Sequence, residues 1–226
     1  MSTLYIIATP IGNLDDITLR ALDILKKVPL VAAEDTRRTL KLLTHFGIRV
    51  TMLSCRAQNE SLAAARIIAA LNEGKDAAYV SDAGSPAISD PGAVLTRNAA
   101  AAGHKVLPIP GASAFSALVS VAGGLDKTII FEGFLSPKSG RRKAKLKELL
   151  DTGMAFVIYE SPFRILKLFS DLTDLDSKRY VCTGREMTKF HEEYLRGSVI
   201  EVFNALSQKE SRGEYAIYVS GNKIES

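Results

Sequence analysis

Short apolar runs alternate with amphipathic stretches through the first half of the chain. The apolar runs have the length of strands buried in a sheet, and the amphipathic stretches are long enough for helices. This alternation is typical of β-α-β units and a mostly parallel sheet. It predicts strands at 3–8, 29–33, 50–53, 77–81 and 105–109, and helices at 15–27, 36–46, 60–72, 91–102 and 112–122.

The sequence Gly123-Gly124, followed by Asp126, interrupts this pattern, and strands then follow one another more often. We therefore expect an N-terminal α/β domain at 1–124 and a C-terminal α/β domain at 125–226. Consecutive strands favour a mixed sheet in the second domain. The predicted strands lie at 129–131, 155–159, 179–184, 190–196 and 214–220, and the predicted helices at 140–151, 163–171 and 199–206.

The composition indicates a globular protein, since apolar residues make up 46% of the 226 positions. A membrane helix needs about 20 consecutive apolar residues, and the longest apolar runs, such as 156–159, are strand-sized. The chain opens on a strand-like run without the basic start of a signal peptide. We therefore expect a soluble, cytoplasmic protein that does not enter a membrane.

Several classes of site are missing from the sequence. Cys55 and Cys182 are far apart and the three histidines are scattered, so we expect reduced structural thiols and no metal site. The glycine-rich phosphate motifs of dinucleotide enzymes and P-loop NTPases do not occur, nor does the G-x-S-x-G motif of α/β-hydrolases. The candidate chemistry must therefore lie elsewhere.

Four loops that follow predicted strands contain unusual residue types, and ligands of open α/β sheets bind where such loops lie. Much of their proline and glycine content has a structural explanation. Asp90-Pro91 and Ser161-Pro162 are typical helix starts, and Ser113 could cap the helix that follows it. The loops span residues 9–14, 81–92, 108–113 and 159–164.

The loop at 81–92 is longer than helix capping explains. A capped connection from strand to helix needs only about 2–6 residues, whereas this loop has twelve, including two prolines, two glycines and two aspartates. Such a loop leaves backbone N–H and C=O groups for a polar ligand, and its glycines let that ligand approach the main chain. We therefore predict a ligand site in this loop.

The positive charge is concentrated in one segment. The net charge is only +4, yet Lys138 to Lys147 contains six positive charges and no negative one. Such a segment would attract a polyanion, and it is equally consistent with a solvated helix face. If it binds RNA, neutralising Arg141, Arg142 and Lys143 should weaken binding and flatten its salt dependence.

A second charged cluster, at 184–193, follows the predicted strand 179–184. Ion pairing on the surface is the usual explanation of such a cluster. Its position after a strand nevertheless places it on the same side as the four loops, so it also belongs to the candidate site.

Eight segments, taken together and in order, resemble one family: the ribosomal RNA small-subunit ribose 2′-O-methyltransferases of the tetrapyrrole methylase superfamily, which modify a cytidine in the decoding region. The chain departs from the family pattern at 54–58, where relatives often have a histidine, and longer relatives continue into an additional C-terminal helical region. The matching segments are 9–14 with 16–18, 33–37, 80–92, 108–111, 132–135, 159–161, 185–189 and 213–214.

The resemblance implies a two-domain tetrapyrrole-methylase-like α/β fold. Its N-terminal sheet would be mostly parallel with helices on both faces, and its C-terminal sheet mixed with helices. The resemblance also implies a homodimer and an S-adenosylmethionine cofactor, held between the domains largely by main-chain groups. The cofactor contacts carried over by motif are Thr9, Pro10, Asp82, Gly84, Ser85, Ile88, Ser113, Ala114, Tyr159, Met187 and Ala216.

The reaction that this implies is an in-line transfer of a methyl group to a ribose hydroxyl, which a base or a nearby cation would assist. The substrate would be small-subunit ribosomal RNA within the small ribosomal subunit. Asp82 and Glu160 are further candidates for the base. The catalytic candidates retained are Glu34, Asp35, Glu186 and Lys189, and the expected RNA contacts are Arg37, Arg141, Arg142, Lys143 and Arg185.

Two other functions stay open at this point. One is a methyltransferase that acts on a tetrapyrrole or another small molecule, which a deep apolar trough would favour. The other is a non-catalytic RNA-binding factor of ribosome assembly, which would not bind S-adenosylmethionine.

Overall fold

The computed structural model describes residues 1–88, 90–210 and 212–221. The chain divides into two compact units, Met1–Ser113 and Ala114–Ser226. Each unit is built around one five-stranded sheet. Within the described residues, no helix combines the length and the apolar character that crossing a membrane requires.

The first unit contains a parallel sheet in which every strand neighbours only parallel strands. Its elements are β1 (Thr3–Ile7), α1 (Leu19–Lys27), β2 (Leu30–Ala33), α2 (Thr36–His45), β3 (Thr51–Ser54), α3 (Glu60–Asn72), β4 (Ala77–Val80), α4 (Ala93–Ala101) and β5 (Lys105–Ile109). A short 3-10 turn at Leu14–Asp16 precedes the first helix. The strand order is β3-β2-β4-β1-β5, so the predicted parallel sheet is confirmed.

Alternate residues of these strands pack against two different helical layers, because successive side chains of a strand point to opposite faces. Ile7 of β1 and Val80 of β4 pack with α1 and α2. Leu4 of β1 and Tyr79 of β4 pack with α3 and α4 on the other face. The prediction of helices on both faces of the first sheet is therefore confirmed.

The second unit contains a mixed sheet, also as predicted. Its elements are α5 (Ala114–Ala122), β6 (Ile129–Phe134), α6 (Ser139–Asp151), β7 (Ala155–Glu160), α7 (Ile165–Asp176), β8 (Tyr180–Arg185), β9 (Glu193–Ser198), α8 (Val199–Ser207) and β10 (Tyr215–Val219). The strand order is β6-β7-β10-β8-β9; β6 runs parallel to β7, and the remaining neighbours are antiparallel.

Helices cover both faces of the mixed sheet. One face, which includes Ile158 and Ile217, forms the core with α6, α7 and α8. On the other face α5 packs against β8 and β10, and the Tyr180 hydroxyl donates a 2.6 Å hydrogen bond to the carbonyl of Ala122. The division between the units therefore falls at the start of α5, whereas the sequence pattern predicted a domain boundary after its end, at Gly124.

Two predicted helix starts differ in the structure. Helix α4 begins after Gly92, which has no capping side chain. The Glu60 carboxylate of α3 accepts hydrogen bonds from the N–H groups of Gly92, Val94 and Leu95 instead, at 2.9, 2.9 and 3.3 Å. Asp90 is therefore not the cap.

Helix α7 likewise begins later than predicted, at Ile165. Its first turn is joined to Ser161 through the backbone, because the Ser161 carbonyl accepts hydrogen bonds from the N–H groups of Arg164 and Ile165.

We expect a Gly124→Ala variant to be less stable by about 1–3 kcal/mol, because the added Cβ would overlap the Tyr218 ring and hydroxyl. Gly140 is the matched control. A Cβ there meets no atom within 4 Å, and alanine at this helical position should stabilise by up to about 0.5 kcal/mol. Thermal unfolding measures both changes, and equal stabilities for the two variants would contradict this packing.

Candidate functional site

The carboxyl ends of the five parallel strands lie at one edge of the first unit. At this edge, the loop after β4 pairs with the residues that follow β1. The N–H of Thr9 donates to the Gly84 carbonyl at 2.9 Å, and the N–H of Gly84 donates to the Thr9 carbonyl at 3.0 Å. The Thr9 hydroxyl also donates to the Ser81 carbonyl at 3.3 Å. Two predicted cofactor contacts, Thr9 and Gly84, are therefore adjacent.

Glu34 and Asp82 join the loops after β2 and β4 by reciprocal hydrogen bonds. The N–H of Asp82 donates to Glu34 Oε2 at 3.1 Å, and the N–H of Asp35 donates to Asp82 Oδ1 at 2.9 Å. Asp82 Oδ2 also lies 3.5 Å from Arg38 Nε. Each carboxylate thus holds the backbone of the other loop, and we call this arrangement the Glu34–Asp82 clamp.

Burial within the clamp raises the pKa of Glu34, although the hydrogen bond from the Asp82 backbone acts in the opposite direction. Glu34 is therefore a stronger base than an exposed glutamate. Its second oxygen, Oε1, accepts no hydrogen bond from any residue of 1–88, 90–210 or 212–221.

Asp35 has a structural role at the start of α2. Its carboxylate accepts hydrogen bonds from the N–H of Arg37 at 2.9 Å and from the Arg37 guanidinium at 3.0 and 3.2 Å. The side-chain bonds and then the backbone bond from Arg37 lower the pKa of Asp35 to about 2. Asp35 is therefore a weak base, while Arg37 remains largely exposed.

The long loop after β4 has unpaired backbone donors in its middle. Gly84 and Ala87 have φ values of 74° and 65°, which turn the chain away from strand and helix geometry. Within the described part of the chain, no acceptor binds the N–H groups of Ser85, Ala87 or Ile88. Ile88 is also exposed. These backbone groups are therefore available to a polar ligand.

The far end of this loop is fixed by two side chains that the sequence analysis did not identify. The Tyr79 hydroxyl donates to the Pro91 carbonyl at 2.9 Å, and Glu60 binds the first turn of α4. Gly92 must lack a side chain, since a Cβ would lie 2.6 Å from the Tyr79 ring. No local pattern marks Glu60, because its three partners lie more than thirty residues away in the chain.

The loop after β5 lies at the same edge of the first unit. Its Gly111 packs closely on Ala8 of the segment after β1, where a Cβ would come within 3.1 Å. Pro10 and Ser113 are half-buried. The first unit therefore brings most of the predicted cofactor contacts to one sheet edge. They are Thr9, Pro10, Asp82, Gly84, Ser85, Ile88 and Ser113; Ala114 begins the second unit.

The second unit groups its predicted cofactor contacts at one end of its own sheet. Tyr159, Ala216 and Gly184 are directly paired neighbours on β7, β10 and β8, so they lie on one face. Met187 is buried, and its sulfur occupies the space beside Gly184, 2.6 Å from where a Cβ would be. Tyr159, Ala216 and Met187 therefore border the same stretch of sheet.

Lys189 connects two carboxylates at this end of the sheet. Its ammonium lies 2.8 Å from Glu186 Oε1 and 3.0 Å from Glu214 Oε2, and Glu186 also accepts the N–H of Glu214 at 3.0 Å. Partial burial acts to lower the pKa of Lys189, but the hydrogen bonds to Glu186 and Glu214 outweigh it, so the pKa is raised. Lys189 is therefore a fixed positive charge at neutral pH.

Glu186 is the matching negative charge. Burial opposes ionisation, but the hydrogen bonds from Lys189 and the Glu214 backbone lower its pKa. Its φ of 49° is unusual for a residue with a side chain. Arg185, an expected RNA contact, lies beside it with Nε 3.2 Å from Glu193 Oε2. The predicted surface ion pairing of 184–193 is thus present.

The structure corrects the expectation that Arg142 contacts RNA. Its side chain is 3% exposed and pairs with Asp171 of α7, with Nε at 2.7 Å and Nη2 at 2.6 Å from Oδ2. Lys143 is half-exposed and bound to Asp174 at 2.7 Å. Much of the basic segment is therefore neutralised within the protein, and Arg141 is the exposed member of the predicted trio.

The described residues contain no group of three or more histidines, cysteines, aspartates or glutamates that could hold a metal ion. Cys55 and Cys182 are free and buried. Burial raises the pKa of the Cys55 thiol to about 11, so this thiol is unreactive at neutral pH.

Comparison with known proteins assigns the family. The sequence model of the Tetrapyrrole (Corrin/Porphyrin) Methylases matches residues 3–202. The Ribosomal RNA small subunit methyltransferase I of Borrelia garinii is 45% identical over 96% of this chain and 98% of its own length. The Thermotoga maritima protein of that name is 42% identical over 99% of this chain and 100% of its own. The chain belongs to the tetrapyrrole methylase family, among its small-subunit methyltransferase I members.

Some other proteins similar to this chain are longer or more distant in sequence. The chain is 45% identical to the Neisseria meningitidis serogroup B methyltransferase I, but spans only 75% of that protein. Among solved structures, the methyltransferase CobJ superposes with a TM-score of 0.70 at 16% identity, over 97% of this chain and 94% of CobJ. Cobalt precorrin-4 methyltransferase CbiF superposes with a TM-score of 0.68 at 18% identity, over 96% of this chain and 94% of CbiF. At these identities the likeness confirms the fold.

We expect Arg142→Met to destabilise the protein by about 3 kcal/mol, because it leaves the Asp171 carboxylate buried without its main partner. Adding Asp171→Leu should restore most of that loss. Arg141→Met is the control and should change stability by less than about 0.5 kcal/mol. Denaturant unfolding measures these changes; an Arg142→Met protein as stable as wild type would mean that the buried pair is not formed.

Proposed function

We propose that this methyltransferase transfers a methyl group from S-adenosylmethionine to the ribose 2′-hydroxyl of a cytidine in small-subunit ribosomal RNA. The observation that carries the proposal is the 45% identity, over nearly the whole chain, to a protein named for methylation of that RNA. We further propose a cytoplasmic homodimer that acts on RNA within the small ribosomal subunit. The domains remain proposed as 1–124 and 125–226.

The first unit fits the cofactor through its long loop. S-adenosylmethionine carries hydroxyls, an amino group, a carboxylate and an adenine, all of which can bind main-chain polar groups. The unpaired N–H groups of Ser85, Ala87 and Ile88 suit its acceptor atoms. The Glu34–Asp82 clamp and the Thr9–Gly84 pairing hold those donors in place before a ligand arrives, which lowers the entropic cost of binding.

The second unit supplies an apolar surface with small residues. Ala216 and Gly184, which are paired across neighbouring strands, have little or no side chain. They therefore leave a shallow surface between the side chains of Tyr159 and Met187. An aromatic ring and a thioether provide favourable contacts for a flat heterocycle. These features support the assignment of Tyr159, Met187 and Ala216 to the cofactor. Ser113 and Ala114 complete the proposed set.

The cofactor supplies a methyl group on a sulfonium, so the protein must orient the hydroxyl and accept its proton. Of the four catalytic candidates, Glu34 fits the role of base best, because burial raises its pKa and Oε1 is not engaged within the described residues. Asp35, with a pKa of about 2, is too weak a base. Lys189, paired with Glu186, fits a role in stabilising negative charge.

Two exposed cations suit the RNA backbone. Arg37 has a side chain that is 82% exposed, and among the described residues its one acidic partner is Asp35. Arg141 is exposed and forms no ion pair within the described residues. Lys143 and Arg185 each have an acidic partner already. Either side chain can therefore contribute to RNA binding only if it contacts a phosphate and its carboxylate partner at the same time.

Labelled methyl transfer to undermethylated small ribosomal subunits tests the reaction. We expect one cytidine to gain a 2′-O-methyl group, located by mapping alkali-resistant linkages. In the same assay, Glu34→Gln should lower kcat about 100-fold or more while cofactor binding is kept, because only the proton acceptor is lost. Transfer to a tetrapyrrole instead of RNA, or no heat with S-adenosylmethionine in calorimetry, would reject the proposal in favour of the alternatives.

Substitution of Gly84 tests the loop as the cofactor site. Gly84→Ala places a side chain at φ +74° and 3.5 Å from Ile11, and we expect it to weaken S-adenosylmethionine binding at least about tenfold in calorimetry. Gly74→Ala is the matched control, since it imposes similar strain at φ +84° with no atom within 4 Å. It should lose stability but keep wild-type affinity; equal losses of affinity in both variants would remove the loop from the site.

A further inference from the structure

Four aromatic rings of the second unit form a continuous row. Phe115 of α5 contacts Phe131 of β6 with ring centres 5.4 Å apart, and Phe131 contacts Tyr159 of β7 at 5.1 Å. Tyr159 then contacts Phe134 at 5.7 Å. Every contact is edge-to-face, a favourable geometry for aromatic pairs. The row ends at Phe134, whose ring is therefore supported from one side by Tyr159.

A β-bulge determines where the Phe134 ring lies. Phe131 pairs with Val157 and Phe134 pairs with Tyr159, so β6 contains one more residue than β7 over this stretch. In a regular strand, residues three positions apart, such as Phe131 and Phe134, point to opposite faces of the sheet; the bulge brings both rings to the same face as Tyr159. Gly133 makes the bulge possible with a φ of 73°. Bulges beside functional sites commonly redirect a side chain in this way.

The redirected ring stays open to solvent. Phe134 is 59% exposed although it is the last residue of a strand and has an aromatic neighbour. The ring is thus a solvent-exposed aromatic surface that is held in place by Tyr159.

Positive charge follows directly after this ring. The chain continues from Phe134 through a short loop to Lys138 and helix α6, with Arg141 in its first turn. Both cations are exposed, and neither has an acidic partner in the part of the chain that the structure describes. The partial positive charge of the helix N-terminus adds to theirs.

We propose that Phe134 is a stacking platform for an unpaired base of the RNA substrate, with Lys138 and Arg141 binding the adjoining phosphates. Single-stranded RNA is recognised mainly by aromatic rings that stack on splayed bases, together with cations along the backbone. The position of Phe134 beside Tyr159 places that base next to a residue already proposed to contact the cofactor. This inference rests on the proposed function, which supplies RNA as the substrate.

A second copy of the chain is the other candidate for covering an exposed ring. The cations that follow the ring along the chain have no acidic partner among the described residues, and they favour a polyanion over another molecule of the same net positive charge. The experiment therefore includes the oligomeric state as a separate measurement.

Three substitutions of Phe134 separate stacking from bulk. Phe134→Leu keeps an apolar side chain and removes the aromatic face, Phe134→Ala removes both, and Phe134→Tyr keeps the ring. Binding is measured by fluorescence anisotropy with labelled oligocytidylate and with a base-free ribose-phosphate oligomer of the same length. We expect Phe134→Leu and Phe134→Ala to lose affinity for oligocytidylate about fivefold or more, with no change for the base-free oligomer, and Phe134→Tyr to bind like wild type.

Matched variants test the cations and the specificity of the effect. Lys138→Ala with Arg141→Ala should weaken both oligomers equally and reduce the slope of affinity against salt, whereas Lys26→Ala with Lys27→Ala, at the end of α1, should not. Leu19→Ala removes an 82% exposed apolar side chain elsewhere and should leave binding unchanged. Calorimetry with S-adenosylmethionine checks that the Phe134 variants keep the cofactor site.

Several results would overturn the stacking platform. One is a Phe134→Leu variant that binds oligocytidylate as well as wild type, and another is a Phe134→Tyr variant that loses as much affinity as Phe134→Leu. A loss that follows dissociation of a dimer in light scattering would assign the ring to a protein interface. These binding measurements require no methyl transfer, so they are independent of the assay on ribosomal subunits. If the wild-type protein methylated no RNA in that assay, the proposed function alone would be rejected.

Discussion

The candidate site depends first on the Glu34–Asp82 clamp. Two carboxylates, each accepting the backbone N–H of the other's loop, fix the start of a twelve-residue connection that otherwise lacks secondary structure. A loop of this kind would lose its preferred shape without such constraints, because each ordered residue costs conformational entropy. Glu60 and Tyr79 fix its other end. In the described part of the loop, the N–H groups of Ser85, Ala87 and Ile88 are thereby left without an acceptor.

Most of the fold could be predicted from the sequence, because strand and helix periodicities are strong and local. The parallel sheet followed from apolar runs that alternate with amphipathic stretches, and the helices on both of its faces followed from the family resemblance. The helix starts at Asp90 and Ser161 were wrong in detail, since the groups that replace the expected caps are a carboxylate on another helix and a backbone carbonyl. Contacts between distant residues leave no local pattern in a sequence.

The candidate site was predictable to a similar degree. Loops that follow strands could be identified from their residue types, and the structure brings Thr9, Gly84 and Asp82 together at one sheet edge. The roles of charged residues were harder to predict. Arg142 and Asp35 have the residue types that RNA binding and catalysis require, yet one is buried in an ion pair and the other caps a helix. Composition gives the number of charges, whereas only packing determines which of them reach solvent.

The pairing of Arg142 with Asp171 has a consequence for how this family can diverge. Replacing either partner alone leaves an uncompensated charge in the interior between α6 and α7, and the loss of stability is a large share of what a domain of this size has in reserve. Accepted changes at the two positions should therefore arrive together or in rapid succession, so that homologues have either both ions or two neutral side chains. The pair is then inherited as a unit, whether or not the exposed cations beside it change.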